Sequence, residues 1–276
     1  MITGKKEIGI VIKHPNTRAG CVENTNIDKR GRRMKLIWAL GMLLFVVVLP
    51  VALLTGNVRW IANDLSFYQR GYERQFSYQT TGIPKEELDR ATGEMIAYFN
   101  NSGGDFSNIQ VRAGGKTFRL FNERDVVHLR DVRDLIQLTY RIQEVSLAYV
   151  FLFSAAMLFR RNGKRLLVRL AWPWLLGGVF TTLLLIAVGL GMLLDFDRMF
   201  LAFHLVSFTN DFWVLDPATS YLIRMVPEGF FMELALTTAV LALAEAVALA
   251  IVTTGSLAWH KGRRFSATTQ RTPSAI

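Results

Sequence analysis

Four stretches of this chain, residues 36–56, 144–160, 170–194 and 230–259, are almost free of charge and about as long as a bilayer is thick. Backbone amides in hydrocarbon find no water to bond, so a spanning segment must satisfy them itself, and an α-helix does so within one segment. Each run therefore predicts a transmembrane helix. The chain is 51% hydrophobic, and that figure matters only because the apolar residues are gathered into these blocks. Thirty-five residues precede the first block and no small-x-small cleavage pattern follows it, so it reads as a span rather than a cleaved leader.

Charge orients the spans. Residues 1–35 hold nine Lys or Arg against three acids. The 161–169 loop, with Arg160 beside it, and the 260–276 tail are also basic, and these three segments carry +15 of a chain whose net charge is +10. The positive-inside rule then predicts that both termini and the 161–169 loop are cytoplasmic, in a multi-pass protein of the plasma membrane. Because the basic residues flank spans and accompany no recognition module, the high charge does not indicate a nucleic-acid partner. The single cysteine, Cys21, supports neither a disulfide framework nor a thiolate metal cluster.

The predicted architecture is mainly α, a four-span polytopic protein with a small extracytoplasmic α+β segment. Residues 1–35 lack helical periodicity, carry turn formers at 14–16 and 24–26, and read as a basic tail on anionic headgroups. Pro50 predicts a kink or an end near the outer edge of the 36–56 span. Within the 57–143 segment, residues 58–78 place aromatic side chains among charges, as in an interfacial stretch. Helical spacing over 84–99 follows Pro84 at a plausible first helical position. The alternation of IQVRAGGKTFRLF predicts a hairpin turning at Gly114 and Gly115. A second outer loop, 195–229, is strongly aromatic and suits the headgroup layer, with Asp216 and Pro217 predicted to open a short helix.

Between the hairpin and the second span no breaker intervenes. Asn122 is a natural N-cap, residues 123–134 hold seven charged side chains, and neither Gly nor Pro follows before Gly163. One continuous helix, 122–143 leading into the 144–160 span, is predicted to link water to lipid. It carries His128, while His204 lies in the second outer loop, so the charge-derived topology places two histidines from distant parts of the chain on one side of the membrane. Asp131, one turn from His128, can orient its ring. A base and a hydrogen-bond donor is one reading of the pair; interfacial structural histidines is another; a metal-dependent hydrolase is a third, although no HExxH-type spacing supports it. Glu245 is a lone acid at membrane depth, which reads either as functional or as hydrogen-bonded to a neighbouring span such as Thr181 or Thr182. The glycines of the third span, Gly177, Gly178, Gly189 and Gly191, predict close helix packing.

The stretches LFNERDVVHLRDV (120–132), FHLVSFTNDFWVLDP (203–217) and LIRMVPEGFF (222–231), in this four-span order, resemble a bacterial integral membrane family that includes the lipoprotein intramolecular transacylase, Lit. The resemblance covers roughly residues 36–260. It implies an O-to-N acyl transfer on the outer leaflet, moving the sn-2 chain of a diacylglyceryl-cysteine to that cysteine's own α-amine. The implied partners are the N-terminus of a diacylated lipoprotein and the phospholipid bilayer, with no cofactor and no metal. The family's essential histidines match His128 and His204, with His204 as base and His128 as oxyanion donor or acid, or the reverse. Glu123, Arg124, Asp131, Asn210, Asp211 and Trp213 are implied to support them or bind substrate. The rival reading is a non-catalytic four-span envelope protein that binds a lipid or a protein.

Overall fold

The structure is a computed structural model, and it describes residues 17–100, 105–159 and 166–269. Among the described residues, four helices are long and apolar enough to cross a membrane. These are α1 (Thr17–Ala62), α5 (Glu123–Phe159), α6 (Leu166–Leu194) and α9 (Glu228–Thr269). Between them lie α2 (Leu65–Arg74), α3 (Ser77–Thr81), α4 (Lys85–Phe99), the strands β1 (Gln110–Ala113) and β2 (Lys116–Arg119), α7 (Phe196–Ser207) and α8 (Tyr221–Met225).

Helix α1 corrects two expectations. It begins at Thr17, inside a stretch predicted to be irregular, and runs through the Asn24–Asn26 segment. It also continues past Pro50, so of the kink or end expected there the end does not occur. A proline removes one amide donor, and in a span the packing on either side can hold the helix together; here Phe45 and Leu49 are both buried. Leu36, Ile37 and Leu40 are exposed, as a lipid-facing surface would be. The predicted turn at 14–16, the loop at 101–104 and residues 160–165 lie outside the described residues.

From Leu44 onward two apolar clusters form. Phe45, Leu49 and Val150, with Trp174, Phe153 and Leu249 against them, join the four long helices. A larger cluster fills a cap built from α2, α4, the hairpin, the charged half of α5, α8 and the first turns of α9. Residues 58–78 were predicted to lie in the interface, yet Phe67, Tyr68 and Tyr72 are buried in this cap. Their apolar stripe meets protein because Phe230 of α9 sits against Gly71, where a Cβ would come within 2.6 Å of the ring. The Tyr72 and Thr92 hydroxyls bond each other at 2.9 Å, which satisfies both inside the core. The hairpin pairs Gln110 with Arg119 through Ala113 with Lys116. Gly114 and Gly115, at φ of +59° and +75°, make a turn that side chains with a Cβ resist. Pro84 precedes α4 as its N-cap residue rather than its first helical position.

Helix α5 begins charged and ends apolar, and as a whole it is a candidate to cross the membrane. At 1.5 Å per residue it is about 55 Å long. Where the cap meets the span, polar side chains of three long helices pair with one another. Arg59 donates to Gln143 (3.1 Å) and Glu144 (3.0 Å), and Asn63 donates to Tyr140 (2.7 Å). Glu245 joins this seam by accepting from Asn57 Nδ2 at 3.0 Å, so its partner is α1 and not Thr181 or Thr182, which bond back to Gly177 and Gly178. Of the four glycines in α6, Gly177 and Gly178 stand where a Cβ would crowd Leu49 and the Ala246 carbonyl; Gly189 has open space around it.

The seam makes a prediction. Asn57→Leu strands the Glu245 carboxyl and should lower unfolding stability in detergent by about 1–2 kcal/mol, whereas Glu245→Gln keeps an acceptor and should cost less than half of that. Equal losses in a thermal or denaturant titration would mean that the hydrogen bond is not what matters there.

Candidate functional site

The site is built where the start of α5 meets the irregular segment between α7 and α8. Asn122 and Asp125 cap α5 reciprocally: the Asp125 amide donates to Asn122 Oδ1 (2.9 Å) and the Asn122 amide to Asp125 Oδ2 (3.2 Å). Asp125 is fully buried, and its other oxygen accepts from Ser220 Oγ at 2.6 Å. Ser220 also accepts from the Ile223 amide and so caps α8, which opens at Tyr221 and not at the predicted Pro217. Asp216 instead closes a local turn by accepting from the Ala218 amide. Burial pushes the Asp125 carboxyl above its ordinary range, opposed by Ser220, the Asn122 amide and the Arg224 charge.

This clamp and two further ties bring distant side chains together. Asn122 Nδ2 donates to the Thr219 carbonyl (3.1 Å). Arg124 donates to the Asp211 and Val214 carbonyls, stacks over Phe212 and reaches the Asp211 carboxylate at 3.4 Å. His128 and His204, 8% and 7% exposed, then face each other with ring centroids 6.2 Å apart. Phe208 lies against both rings, at 5.2 Å from His128 and 5.6 Å from His204.

The two rings have different surroundings. His204 Nδ1 lies 2.8 Å from the carbonyl of Phe200, one turn earlier in α7. A carbonyl only accepts, so Nδ1 carries a proton, and in the uncharged form of the ring the lone pair is on Nε2. The Phe200 ring meets it edge-on at 4.3 Å and the Trp213 ring lies 5.0 Å away. His128 Nδ1 is buried and has no hydrogen-bond partner among the described residues. Burial, and after it the proximity of His204, lowers its pKa to about 4, with Asp131 acting weakly the other way. His128 is therefore a neutral imidazole at neutral pH.

The other predicted residues divide. Asp131, expected to orient the His128 ring, instead accepts from Asn210 Nδ2 at 2.9 Å, because the 208–216 segment crosses this face of α5. Trp213 lies against His204. Arg124 and Asp211 hold backbone together rather than lining the histidines, and Glu123 is exposed in the first turn with no side-chain hydrogen bond or ion pair of its own among the described residues. Sequence reasoning missed Ser220 and the part played by Phe200 and Phe208. Phe200 was accessible from the i−4 spacing to His204; the tie of Ser220 to Asp125 had no local signal, since the two are far apart in the chain. The aromatic loop was expected to lie along headgroups, yet Phe208 and Trp213 turn toward the histidines, while Leu205 and Val206 face outward.

Among the described residues no three His, Cys, Asp or Glu side chains converge as metal ligands. Comparison with known proteins yields a consistent picture. The family described as "Lipoprotein intramolecular transacylase Lit" matches residues 43–231, a stretch that contains both histidines and every tie above. An uncharacterized protein of Aquifex aeolicus (strain VF5) is 27% identical over 202 residues, covering 72% of this chain and 86% of that protein. The in meso structure of the membrane integral lipoprotein intramolecular transacylase Lit from Bacillus cereus has the same fold, with a TM-score of 0.64 at 18% identity, covering 84% of this chain and 99% of that one. A variant of it with a histidine replaced by alanine scores 0.63, also at 18% identity, over 87% and 99%.

Two predictions rest on this geometry. Unfolded chain takes up a proton on His128 near 6.5, while the folded ring resists until about 4. The unfolded state thus binds more protons between these values, and stability falls as pH drops through that window, by no more than about 1.4 kcal/mol per pH unit. Melting of His128→Gln across pH 7 to 4 should show a shallower fall than wild type. Ser220→Ala removes the hydroxyl from a buried carboxyl and should lower unfolding stability by about 1–3 kcal/mol; a loss below the error of the melt would mean the clamp is not needed.

Proposed function

The chain belongs to the lipoprotein intramolecular transacylase Lit family, and from that premise we propose that it moves the sn-2 acyl chain of a lipoprotein's diacylglyceryl-cysteine to the cysteine's own α-amine, with His204 and His128 as the reacting pair. The observation that carries this reading is the facing of two buried histidines, one held by a backbone carbonyl and one with an unpartnered ring nitrogen, at the end of a four-span bundle. An α-amine of pKa about 8 must lose a proton before it can attack an ester.

His204 suits the base. With Nδ1–H held by the Phe200 carbonyl, its Nε2 lone pair accepts a proton from the attacking amine. The amine nitrogen bonds the ester carbonyl carbon, and the tetrahedral oxyanion forms. His128, kept neutral, offers a ring N–H to that oxyanion without bringing a second cation beside His204. The bond from carbon to the glyceryl oxygen then breaks, and the imidazolium of His204 returns its proton to that oxygen. Products are an N-acyl amide and a free hydroxyl, with no water consumed. Amine and ester belong to one molecule, so holding it folded for attack supplies much of the rate.

The exposed face of α7, with Leu201, Leu205 and Val206, supports a site at the depth of acyl esters, since an amphipathic helix of this kind dips its apolar face into the leaflet. The basic termini and 161–169 loop support cytoplasmic ends and a site on the extracytoplasmic surface.

Cells lacking other lipoprotein N-acylating activity provide the test. Mass spectrometry of a lipoprotein's N-terminal peptide should find N-acyl, monoacylglyceryl cysteine when wild type is expressed. His204→Ala or His128→Ala, at equal membrane abundance, should leave the diacyl form, with rates lower by about 100-fold or more. Untouched diacyl substrate with wild type would sink the assignment and favour a non-catalytic, ligand-binding role; unchanged product with both variants would sink the histidine mechanism alone.

A further inference from the structure

Asp131 lies one turn beyond His128 on α5, yet the hydrogen bond it makes runs to the other histidine's side of the site. Its Oδ2 accepts from Asn210 Nδ2 at 2.9 Å. Asn210 is itself fixed twice more. Its Oδ1 accepts from the Phe212 amide (3.1 Å), and its backbone carbonyl accepts from Trp213 Nε1 (2.9 Å). The Trp213 ring ends this series at 5.0 Å from the His204 ring, inclined by 38°. His204 is also held by its own helix through the Phe200 carbonyl, while from beyond the end of α7 the Trp213 and Phe208 rings lie against it.

The segment that carries Asn210 and Trp213 has no regular secondary structure between Ser207 and Tyr221. Backbone ladders therefore do not set the position of the Trp213 wall. Side-chain ties to α5 do, and of these Arg124 anchors carbonyls at Asp211 and Val214, while Asp131 anchors the residue whose carbonyl holds the indole.

We propose that Asp131 is a positioning residue for His204, acting across the site through Asn210 and Trp213, and that this relay sets the spacing between the two histidines. It deepens the transacylase reading and rests on it for its catalytic consequence. What the relay needs from Asp131 is an acceptor oxygen at the right place, not a negative charge. A carboxylate that instead paired with the substrate's ammonium, or with the His128 ring, would need the charge. The conservative amide separates the two, because Asn presents an oxygen to Asn210 Nδ2 and carries no charge.

The experiment uses the full-length protein in lipid nanodiscs with a synthetic diacylglyceryl-cysteine peptide. Two quantities are read: kcat and KM for acyl transfer, and the rate at which diethyl pyrocarbonate modifies His204, followed by peptide mass spectrometry. Asp131→Ala and Trp213→Leu should each lower kcat by at least about tenfold with KM little changed, since a misplaced base costs rate. In both variants His204 should be modified several-fold faster, at about the same rate whether the two changes are made singly or together. Asp131→Asn should recover kcat to within about threefold of wild type and restore slow modification. If Asp131→Asn is as impaired as Asp131→Ala, charge is the requirement and the relay is overturned. It is overturned equally if Asp131→Ala leaves His204 modification unchanged. Should wild type transfer no acyl chain while the modification pattern holds, the relay stands and the reaction assignment falls.

Discussion

Everything at the candidate site depends on a set of side-chain ties from the first three turns of α5 to a segment that has no backbone ladder of its own. Asn122, Arg124, Asp125 and Asp131 reach Thr219, Asp211 and Val214, Ser220, and Asn210. A single exposed hydrogen bond of this kind contributes little, on the order of 1 kcal/mol. The Asp125–Ser220 bond is different, because both groups are buried and losing one leaves the other without a partner. Placing four such ties along one helix makes the segment follow α5 as a body, and the proposed base follows with it.

The same helix sets where this body stands. Its charged half packs into the cap through Val126 and Leu129, and its apolar half joins the spans through Val150. Between the two apolar clusters runs the seam of Arg59, Gln143, Glu144, Asn57 and Glu245, in which every polar group named finds another. Polar groups near hydrocarbon are costly when unpaired, so the seam couples α1, α5 and α9 where the cap begins. Rigidity is what the proposed two-histidine reaction would ask of its scaffold, since the rings would have to hold their spacing while the substrate reacts.

Two chemically identical side chains stand in different surroundings. His128 is buried with an unpartnered ring nitrogen, and both burial and its neighbour disfavour its cation. His204 is equally buried, but a carbonyl holds its Nδ1 proton. The asymmetry supports the proposed roles, because it suits one ring to offer a lone pair and the other, kept neutral, to donate a hydrogen bond.

Four spans, the long α5, its Asn122 cap and the Gly114–Gly115 hairpin were legible because each rests on local rules: apolar length, helix-dipole and capping chemistry, and positive φ. The pairing of His128 with His204 was legible only as a shared side of the membrane plus a family likeness. An end at Pro50 and an interfacial position for Phe67, Tyr68 and Tyr72 did not hold because packing overrode local rules: Phe45 and Leu49 are buried just before the proline, and Phe230 covers the aromatic stripe, while Trp60 and Phe76 stay exposed. The sequence by itself determined which segments enter lipid, since transfer free energy adds along a helix residue by residue. Tertiary structure alone decided that Asp131 serves Asn210, that Ser220 answers Asp125 and that Glu245 answers Asn57. The physical reason is that a hydrogen bond depends on ångström-scale placement of atoms far apart in the chain, and no periodicity or spacing encodes that distance.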